Sequence, residues 1–280
     1  MQIFDAQHIG QQIATARKAK NMTQSALADQ LGVSYQAVSN WERSQSLPDI
    51  DKYAQLAEAL DLDLATLIGS QEGAHTVVVI NDDDAAVDST TLTAAAPVMK
   101  PQAVDAKAAK VDLPLDKLKM VAPFLSEATL VEHLEAQKHA SGFNEALVEL
   151  APFIGQANIE PLVADLDVTK EVDQALLFKL APFRTYDAND ETAKAILAQT
   201  HSLKAVKKLF PFLSKPTLDD LFTQAAQADP LDKGITAMAP FVSETAVAAH
   251  VKALLQNGDS QAARAFMPFL SDAGLLGLMN

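Results

Sequence analysis

Apolar residues recur at helical spacing along most of the chain, and between residues 22 and 43 they predict two short helices. The first helix follows Thr23, a residue type that caps helix N-termini, and it presents its apolar side chains on one face. Gly32 ends this helix, because glycine readily adopts the positive φ of a helix C-cap. Ser34 then caps the second helix, which carries Trp41 on its apolar face. The pattern therefore predicts two helices joined by a tight turn.

The opposite face of the second helix is polar. Its solvent-facing positions recur at helical spacing, and nearly all of their side chains can form hydrogen bonds. These positions are Tyr35, Gln36, Ser39, Asn40 and Arg43. A helix with such a face is suited to contact a polar surface.

Three further helices are predicted around this pair. One runs from about His8 to Lys20, and a second begins at Pro48, since proline suits the first turn of a helix. A short fifth helix ends at Gly69. Residues 1–70 are therefore expected to form a compact domain of five helices.

Four short motifs occur in register within residues 8–69: TQ opens the second helix, GVS forms the turn, WER ends the third helix and SLPD precedes the fourth. Arg17 also stands near the end of the first helix. A bare pair of helices with a glycine turn would be a weak signal, because such hairpins are common. In combination, these residues resemble the helix-turn-helix domain of the phage-repressor (Cro/XRE) type, over about a quarter of the chain. The resemblance implies that the domain binds double-stranded DNA.

The resemblance also implies three groups of site residues. Polar residues of the third helix would read bases, and since glutamine and asparagine can bond adenine N6 and N7, we expect an A·T-containing half-site. Residues at helix ends would contact phosphates, and an ion pair would brace helix 1 against helix 3. The groups are Tyr35, Gln36, Ser39 and Asn40 for bases, Gln24, Ser34 and Arg43 for phosphates, and Arg17 with Glu42 for the ion pair.

Three of these assignments have alternatives. Ser34 could cap the helix without contacting a phosphate. Tyr35 could contact either a thymine methyl group or only the DNA backbone. Arg17 could contact a phosphate instead of bracing the domain.

Charge limits how such a domain could bind DNA. The chain has a net charge of −14, and residues 1–70 contain 5 basic and 8 acidic residues. Few phosphate contacts give modest non-specific affinity and a shallow salt dependence for each domain. We therefore expect two DNA-binding domains on one site, and hence a homodimer. The basic residues are Arg17, Lys18, Lys20, Arg43 and Lys52.

Residues 71–112 differ in composition, being rich in Ala, Asp, Thr and Val and almost free of aromatic residues. This composition predicts a flexible linker, with a root-mean-square reach of roughly 35 Å for 42 residues. Within it, the β-prone run Thr76–Ile80 has two interpretations. It either pairs with the same segment of a second chain or docks on a sheet edge as an added strand. Alternatively, it is an apolar stretch of linker, and the aspartates at 82–84 that follow it oppose aggregation.

The remainder, residues 113–280, is an internal repeat. Pro-Phe recurs at intervals of 29, 30, 29, 29 and 28 residues, within similar text such as MVAPFLSEATL and AMAPFVSETAV. A fixed period of this length is typical of stacked two-helix units, so we predict a right-handed α-solenoid of about six units. Each proline would end a helix, its phenylalanine would fill the gap between units, and a serine three residues later would cap the next helix. The prolines are Pro123, Pro152, Pro182, Pro211, Pro240 and Pro268.

Two parts of the repeat region depart from this pattern. In the third unit, a polar segment with Arg184 and Tyr186 replaces the usual leucine and serine, which makes it either a contact point or an insertion without function. Near residue 280, we expect an apolar group to be covered by folding back or by a partner chain. This group is Leu275, Leu276, Leu278 and Met279.

Several classes of protein are disfavoured by composition. The chain has no cysteine, no run of 18 apolar residues and no basic-then-apolar N-terminal segment, so we expect a cytoplasmic protein without membrane spans. No catalytic motif is present, and the six histidines are scattered; His133 and His250 share one repeat position, which indicates packing. We therefore predict no enzymatic activity, no metal site and no cofactor.

Two functional hypotheses follow. In the first, the chain is a DNA-binding transcriptional regulator whose repeats mediate oligomerisation or sense a peptide or protein. In the alternative, the repeats form an interaction scaffold, and the helix-turn-helix is vestigial or only recruits the scaffold to DNA.

Overall fold

The computed structural model describes residues 4–82 and 84–277. This part of the chain is all-α, as predicted, and contains 20 α-helices, six 3-10 helices and no β-strand. Its contacts divide the chain into two compact units, 1–146 and 147–280, which are described separately. The boundaries at residues 70 and 112 remain predictions from composition.

The first unit begins with ten α-helices. They are α1 (Ala6–Ala19), α2 (Gln24–Leu31), α3 (Tyr35–Glu42), α4 (Lys52–Leu60), α5 (Leu64–Ile68), α6 (Gln71–Asn81), α7 (Ser89–Ala95), α8 (Pro101–Ala108), α9 (Leu115–Val121) and α10 (Glu127–Ala136). The 3-10 helices η1 (Ala96–Val98) and η2 (Ala122–Phe124) follow α7 and α9, and α11 (Phe143–Leu150) crosses the boundary between the units.

The second unit repeats the same combination of helices. Its α-helices are α12 (Gln156–Val163), α13 (Glu171–Leu180), α14 (Tyr186–Thr200), α15 (Leu203–Val206), α16 (Lys215–Ala228), α17 (Lys233–Met238), α18 (Glu244–Gln256), α19 (Ser260–Arg264) and α20 (Asp272–Gly277). Its 3-10 helices are η3 (Ala151–Phe153), η4 (Ala181–Phe183), η5 (Lys207–Phe212) and η6 (Met267–Phe269).

Helices α1 to α5 enclose one apolar core, with local capping at most of their ends. Thr23 Oγ1 accepts a hydrogen bond from Ala26 N, and Asp63 accepts from two amides of α5. Pro48 does not begin α4, because a hydrogen-bonded turn from Lys52 N to Asp49 O separates the buried proline from the helix. The residues at the centre of this core are Ile9, Ile13, Leu27, Val38, Tyr53, Leu56 and Leu67.

The prediction of a flexible linker is wrong for most of residues 71–112, which fold into α6, α7, η1 and α8. The Thr76–Ile80 run is neither strand nor linker, because it lies within α6. Ser70 caps this helix, and Val77 and Val79 are fully buried, Val77 in the core of the helix-turn-helix region. Burial of these valines within α6 thus outweighs the preference of β-branched residues for strands.

A buried lysine ties α8 to the acidic segment that follows α6. Lys107 Nζ donates hydrogen bonds to the carbonyl oxygens of Asp82 and Ala85, at 2.9 and 3.2 Å. Because a buried ammonium group is costly unless it is hydrogen-bonded, this contact holds α8 against Asp82 and Ala85.

The repeats begin one unit earlier than the sequence pattern suggested. Ala96–Val98 forms the same 3-10 turn as Ala122–Phe124, and Pro97 lies 26 residues before Pro123. Valine in place of phenylalanine and the shorter interval hid this unit. The Ala-Pro dipeptide followed by an apolar residue was the signal that could have revealed it.

Each repeat exposes the proline of its Pro-Phe pair, whereas the burial of the phenylalanine differs between repeats. In the unit around Pro152, Ala151 and Ile154 are buried, whereas Phe153 is 43% exposed. Phe153 therefore does not fill a gap between repeats, whereas Phe212, Phe241 and Phe269 pack against the core, and Phe241 contacts Phe210 of the preceding repeat. The prolines of all seven units are exposed, and the other five phenylalanines are half-buried. The predicted caps are present at Ser126, Ser214, Ser243 and Ser271, each of which accepts from an amide of the next helix.

A carboxylate eight residues after the proline joins several repeats to the next one. Asp105 and Asp219 each accept a hydrogen bond from the amide of the serine that caps the following unit, at 2.8 and 2.7 Å. Burial raises the pKa of Asp105, but hydrogen bonds from Ser126 and Thr129 outweigh it and leave the pKa below its usual value. These contacts satisfy helix-end amides with a side chain from the preceding repeat.

The strongest of these contacts lies in the second unit. Asp190 is 5% exposed and accepts three hydrogen bonds, from Ser214 N at 2.9 Å, Ser214 Oγ at 2.5 Å and Thr217 Oγ1 at 2.8 Å. In the preceding repeat, around Pro152, Glu160 occupies the same position, eight residues after the proline, and accepts hydrogen bonds from Arg184.

The polar segment after Pro182, predicted as either a contact point or an insertion without function, contains one buried and one exposed side chain. Arg184 is buried, where both carboxylate oxygens of Glu160 and Thr192 Oγ1 accept its hydrogen bonds at 2.8 to 3.0 Å. Thr185 caps α14 in the ordinary way, so no irregular loop is present. Tyr186, by contrast, is 62% exposed.

The two repeat-related histidines both pack between helices. His133 Nε2 lies 3.1 Å from Ala108 O, and His250 is buried edge-on against the rings of Phe222 and Phe266. Burial lowers the pKa of His250.

Leu276 is 63% exposed and Leu275 is half-buried, while Leu278 and Met279 lie outside the described residues. Within residues 4–82 and 84–277, none of the helices has the length and apolarity needed to cross a membrane.

Asp190→Ala should lower the free energy of unfolding by about 2–4 kcal/mol, because it leaves three donors without their acceptor in a buried site. Urea unfolding of the full chain followed by circular dichroism would measure this loss. Asp220→Ala, which removes an exposed carboxylate from α16, is the matched control and should change stability by less than about 0.5 kcal/mol. Equal stability of the two variants would contradict the role of Asp190.

Candidate nucleic-acid interface

Helices α2 and α3 meet at a turn whose geometry follows from Gly32. Its φ of 65° lies in the left-handed region, and its amide and that of Val33 donate to Asp29 O and Ala28 O at the end of α2. Ser34 Oγ then accepts from Ala37 N at 3.1 Å and begins α3. Local hydrogen bonds therefore set the angle between the two helices.

Helix α1 packs directly on the backbone of α3. A Cβ atom at Gly10 would collide with the carbonyl oxygen of Trp41, so only glycine permits this approach. Gly10 does not stand out in the sequence, because a glycine within a helix has no distinctive pattern around it.

An ion pair with a third member connects helices α1, α2 and α3. Arg17 donates to both carboxylate oxygens of Glu42, with Nη2 2.9 Å from Oε2, and its Nη1 donates to Met22 O at 2.6 Å. Gln24 Nε2 also donates to Glu42 Oε2, at 2.7 Å. The arginine side chain is 10% exposed and that of the glutamate 6%. Arg17 is therefore committed to the interior, and Gln24 is held against Glu42 in this state.

Electrostatics within this cluster favour the charged forms. Burial raises the pKa of Glu42, but hydrogen bonds from Arg17 and Gln24 and the charge of Arg17 outweigh it, so that its pKa is lowered. The hydrogen bond to Glu42 raises the pKa of Arg17.

The predicted base-reading residues share one outward face of α3. Tyr35 is 53% exposed and Gln36 is exposed, whereas Ser39 and Asn40 are half-buried one turn later. Ser34 is exposed at the helix N-terminus while it serves as the cap. The structure thus brings these five side chains to one end and one face of α3.

Arg43 lies along α3 rather than extending beyond its end. Its Nη2 donates to Asn40 Oδ1 at 2.9 Å, and its Nε donates to Ser39 O at 3.1 Å. The guanidinium group therefore stands beside a predicted base-reading amide, a proximity that helical spacing permits but does not require.

The cations of this domain differ in what they can offer to an anion. With Arg17 engaged by Glu42, the exposed or half-buried cations are Lys18, Lys20, Arg43 and Lys52. Lys52 Nζ donates to Leu31 O at 3.3 Å, close to the end of α2. In the described part of the chain, no group of three or more His, Asp or Glu residues is arranged to hold a metal ion.

Glu42→Ala should lower the free energy of unfolding by about 3 kcal/mol, since it leaves the Arg17 charge buried without a partner. The loss should depend on pH in a defined direction. A lowered folded-state pKa stabilises the protein above the carboxyl pKa of the unfolded chain, and this stabilisation disappears as pH falls through the lowered value. Unfolding followed by the fluorescence of Trp41, the only tryptophan of the chain, would measure both effects.

Glu58→Ala on α4 removes an exposed carboxylate from the same domain and is the matched control. The wild-type and Glu42→Ala proteins should converge in stability at low pH, whereas the control should follow the wild type throughout. A pH-independent difference would show that the ion pair is not the source of the loss.

Comparison with known proteins agrees with this geometry. A family model described as "Helix-turn-helix" matches residues 13–67, from within α1 into α5. Over 61 residues, 22% of the chain, the protein is 33% identical to the cryptic phage CTXphi transcriptional repressor RstR of Vibrio cholerae serotype O1, and the match spans 54% of that repressor. No solved structure matches the chain. The capped helices, the Gly32 turn and the buried ion pair therefore belong to a helix-turn-helix domain of the Cro/XRE type at residues 13–67.

Proposed function

We propose that the protein is a transcriptional regulator that binds double-stranded DNA by placing α3 in the major groove. The observation that carries this proposal is the outward face of α3, where exposed Tyr35 and Gln36 precede Ser39 and Asn40. An eight-residue helix is about 12 Å long, and the major groove is about 12 Å wide, so α3 can reach base edges along its N-terminal turns. Similarity to a named phage repressor favours repression over activation.

Base recognition in this proposal centres on Gln36 and Asn40. Each amide can accept from adenine N6 and donate to adenine N7, which favours A·T-containing half-sites. Asn40 Oδ1 has a second lone pair, so it can accept from adenine while it accepts from Arg43. Arg43 would then hold the amide in position as well as approach a phosphate.

Phosphate contacts would come from Gln24 and Ser34 at the starts of α2 and α3, and from the nearby cations. Gln24 has a second amide hydrogen and its carbonyl oxygen beyond the contact with Glu42. With at most four available cations per domain, log K should fall with log salt with a slope no steeper than about −4 per domain. Two domains on one operator would give the affinity that one lacks.

The repeats would supply oligomerisation or sensing. The dimer is supported by the small number of cations in the DNA-binding domain and by exposed Leu276 on α20. The alternative function, an interaction scaffold with a vestigial or merely recruiting helix-turn-helix, is supported by the large share of the chain that the repeats occupy. Sequence-selective DNA binding is expected of the regulator but not of the scaffold, so it distinguishes the two functions.

Combined replacement Gln36→Ala and Asn40→Ala should abolish sequence-selective DNA binding, with a loss of about 1–3 kcal/mol for each bidentate contact. Both residues point away from the core, so stability should stay within about 0.5 kcal/mol of wild type. Selection of sites from random duplex DNA, followed by titration of the selected site at several salt concentrations, would measure both selectivity and salt slope.

The matched control replaces Gln224 and Gln227, exposed on α16, with alanine and should keep full selectivity. If the wild-type protein selects no sequence from random DNA at low salt, the scaffold function is the correct one.

Leu276→Glu should dissociate a dimer formed through α20, because a charge in an apolar interface is costly to bury. Sedimentation of the purified chain would detect the lower mass, and the variant should bind its operator more weakly. Leu231→Glu changes a comparably exposed leucine between α16 and α17 and should leave the mass unchanged. An unchanged mass for Leu276→Glu would exclude this interface.

A further inference from the structure

A groove in the compact unit 147–280 lies between the turn at Pro211–Phe212 and the turn at Pro240–Phe241. It has a volume of about 460 Å³, within the usual range of small-ligand and peptide sites. Its apolar walls come from the η5 turn, from α16 and from the turn before α18. Residues that line it include Tyr186, Pro211, Leu213, Leu218, Pro240 and Phe241.

Tyr186 departs from the repeat pattern at this groove. Four residues after the proline, the other repeats with a Pro-Phe pair carry a charged or amide residue, namely Glu127, Gln156, Lys215, Glu244 and Asp272. The third unit places an aromatic residue there, and its side chain remains 62% exposed. The first position of α14 does not require an aromatic residue, since Thr185 already caps the helix. Folding therefore does not account for Tyr186, whereas a ligand in the groove would contact it.

The groove is bordered by a locally basic segment of an otherwise acidic protein, although Asp187 and Asp219 directly follow its lining residues Tyr186 and Leu218. Residues 194–218 contain five lysines and no acidic residue, although the chain as a whole carries −14. Lys215 lines the groove, and its Nζ donates to the carbonyl oxygens of Phe241 and Val242 at 2.9 and 3.3 Å, which holds a positive charge at the wall. Lys207 and Lys208 lie in η5, immediately before the groove residue Phe210.

The positions of these lysines suit contact with a partner. Lys204, Lys207 and Lys208 are exposed, and Lys208 Nζ stands 5.9 Å from the ring centroid of Phe178. A ligand in the groove would meet an apolar floor of proline and aromatic side chains, with Lys215 at the wall and Lys207 exposed in the adjoining η5 turn.

We propose that this groove binds an acidic, extended peptide segment of a partner protein. Its apolar or proline side chains would pack against Tyr186 and Phe241, and its carboxylates would face Lys207, Lys208 and Lys215. Grooves lined by aromatic residues commonly bind extended, proline-containing segments, and the lysines add charge complementarity. The proposal rests on the sensing role proposed for the repeats and is independent of how α3 reads DNA.

The test is a selection from a random dodecapeptide phage library on the immobilised full-length protein, with Tyr186→Ala as the parallel target. Enriched peptides should be acidic and contain proline or aromatic residues. A labelled synthetic copy of the enriched sequence should bind Tyr186→Ala about tenfold more weakly, as expected for loss of an aromatic anchor. Replacement of Lys207 and Lys208 with glutamine should also weaken binding, and by less as salt is raised.

Two matched controls come from the same unit. Val172→Ala truncates another highly exposed apolar side chain, and Lys252→Gln removes an exposed lysine from α18; both should bind the peptide as the wild type does. Selective operator binding should be the same in wild type and Tyr186→Ala. Loss of peptide binding can therefore be separated from failure of the DNA-binding function.

Four outcomes would overturn the proposal. The library would yield no acidic enrichment, or the enriched peptide would bind Tyr186→Ala as well as wild type. Alternatively, Tyr186→Ala would convert a dimer to a monomer, which would make a second copy of the chain the occupant. Finally, non-specific duplex DNA would bind through Lys207 and Lys208 in the Gln36→Ala, Asn40→Ala background, which would make the surface a DNA contact.

Discussion

The buried contact between Arg17 and Glu42 is the constraint on which the DNA-binding face depends. It joins α1 to α3 through two parallel hydrogen bonds, and Gln24 adds α2 to the same carboxylate. A guanidinium and a carboxylate that are both desolvated must keep this geometry, because either charge alone would be costly in the interior. The outward face of α3 is therefore presented by a rigid support, which favours a preformed recognition surface.

A related principle holds the repeats together. Carboxylates such as Asp105, Asp190 and Asp219 each satisfy the amide of a capping residue in the next unit. A helix end that would otherwise lack a partner is thus closed by its neighbour, which couples the stability of adjacent units. The prolines of the Pro-Phe pairs, together with Phe153 and Tyr186, remain exposed.

The candidate site was largely predictable from sequence, but its internal contacts were not. Side chains at 35, 36, 39 and 40 had to share one face because helical spacing alone determines it. The position of Arg43 beside Asn40, and of Gln24 against Glu42, depends on which of several allowed rotamers meets a partner. The buried position of Arg184, for which one predicted alternative was a surface contact point, depends on its partner Glu160, which lies 24 residues away in the sequence.

By itself, the sequence determined the helices, their caps and the repeat. Thr23, Gly32, Ser34 and the recurring serines act through hydrogen bonds to amides or carbonyls a few residues away, so local order is enough to specify them. Only the tertiary structure decided that Val77 and Val79 belong to a helix. That outcome depends on burial against distant residues, which outweighs local composition.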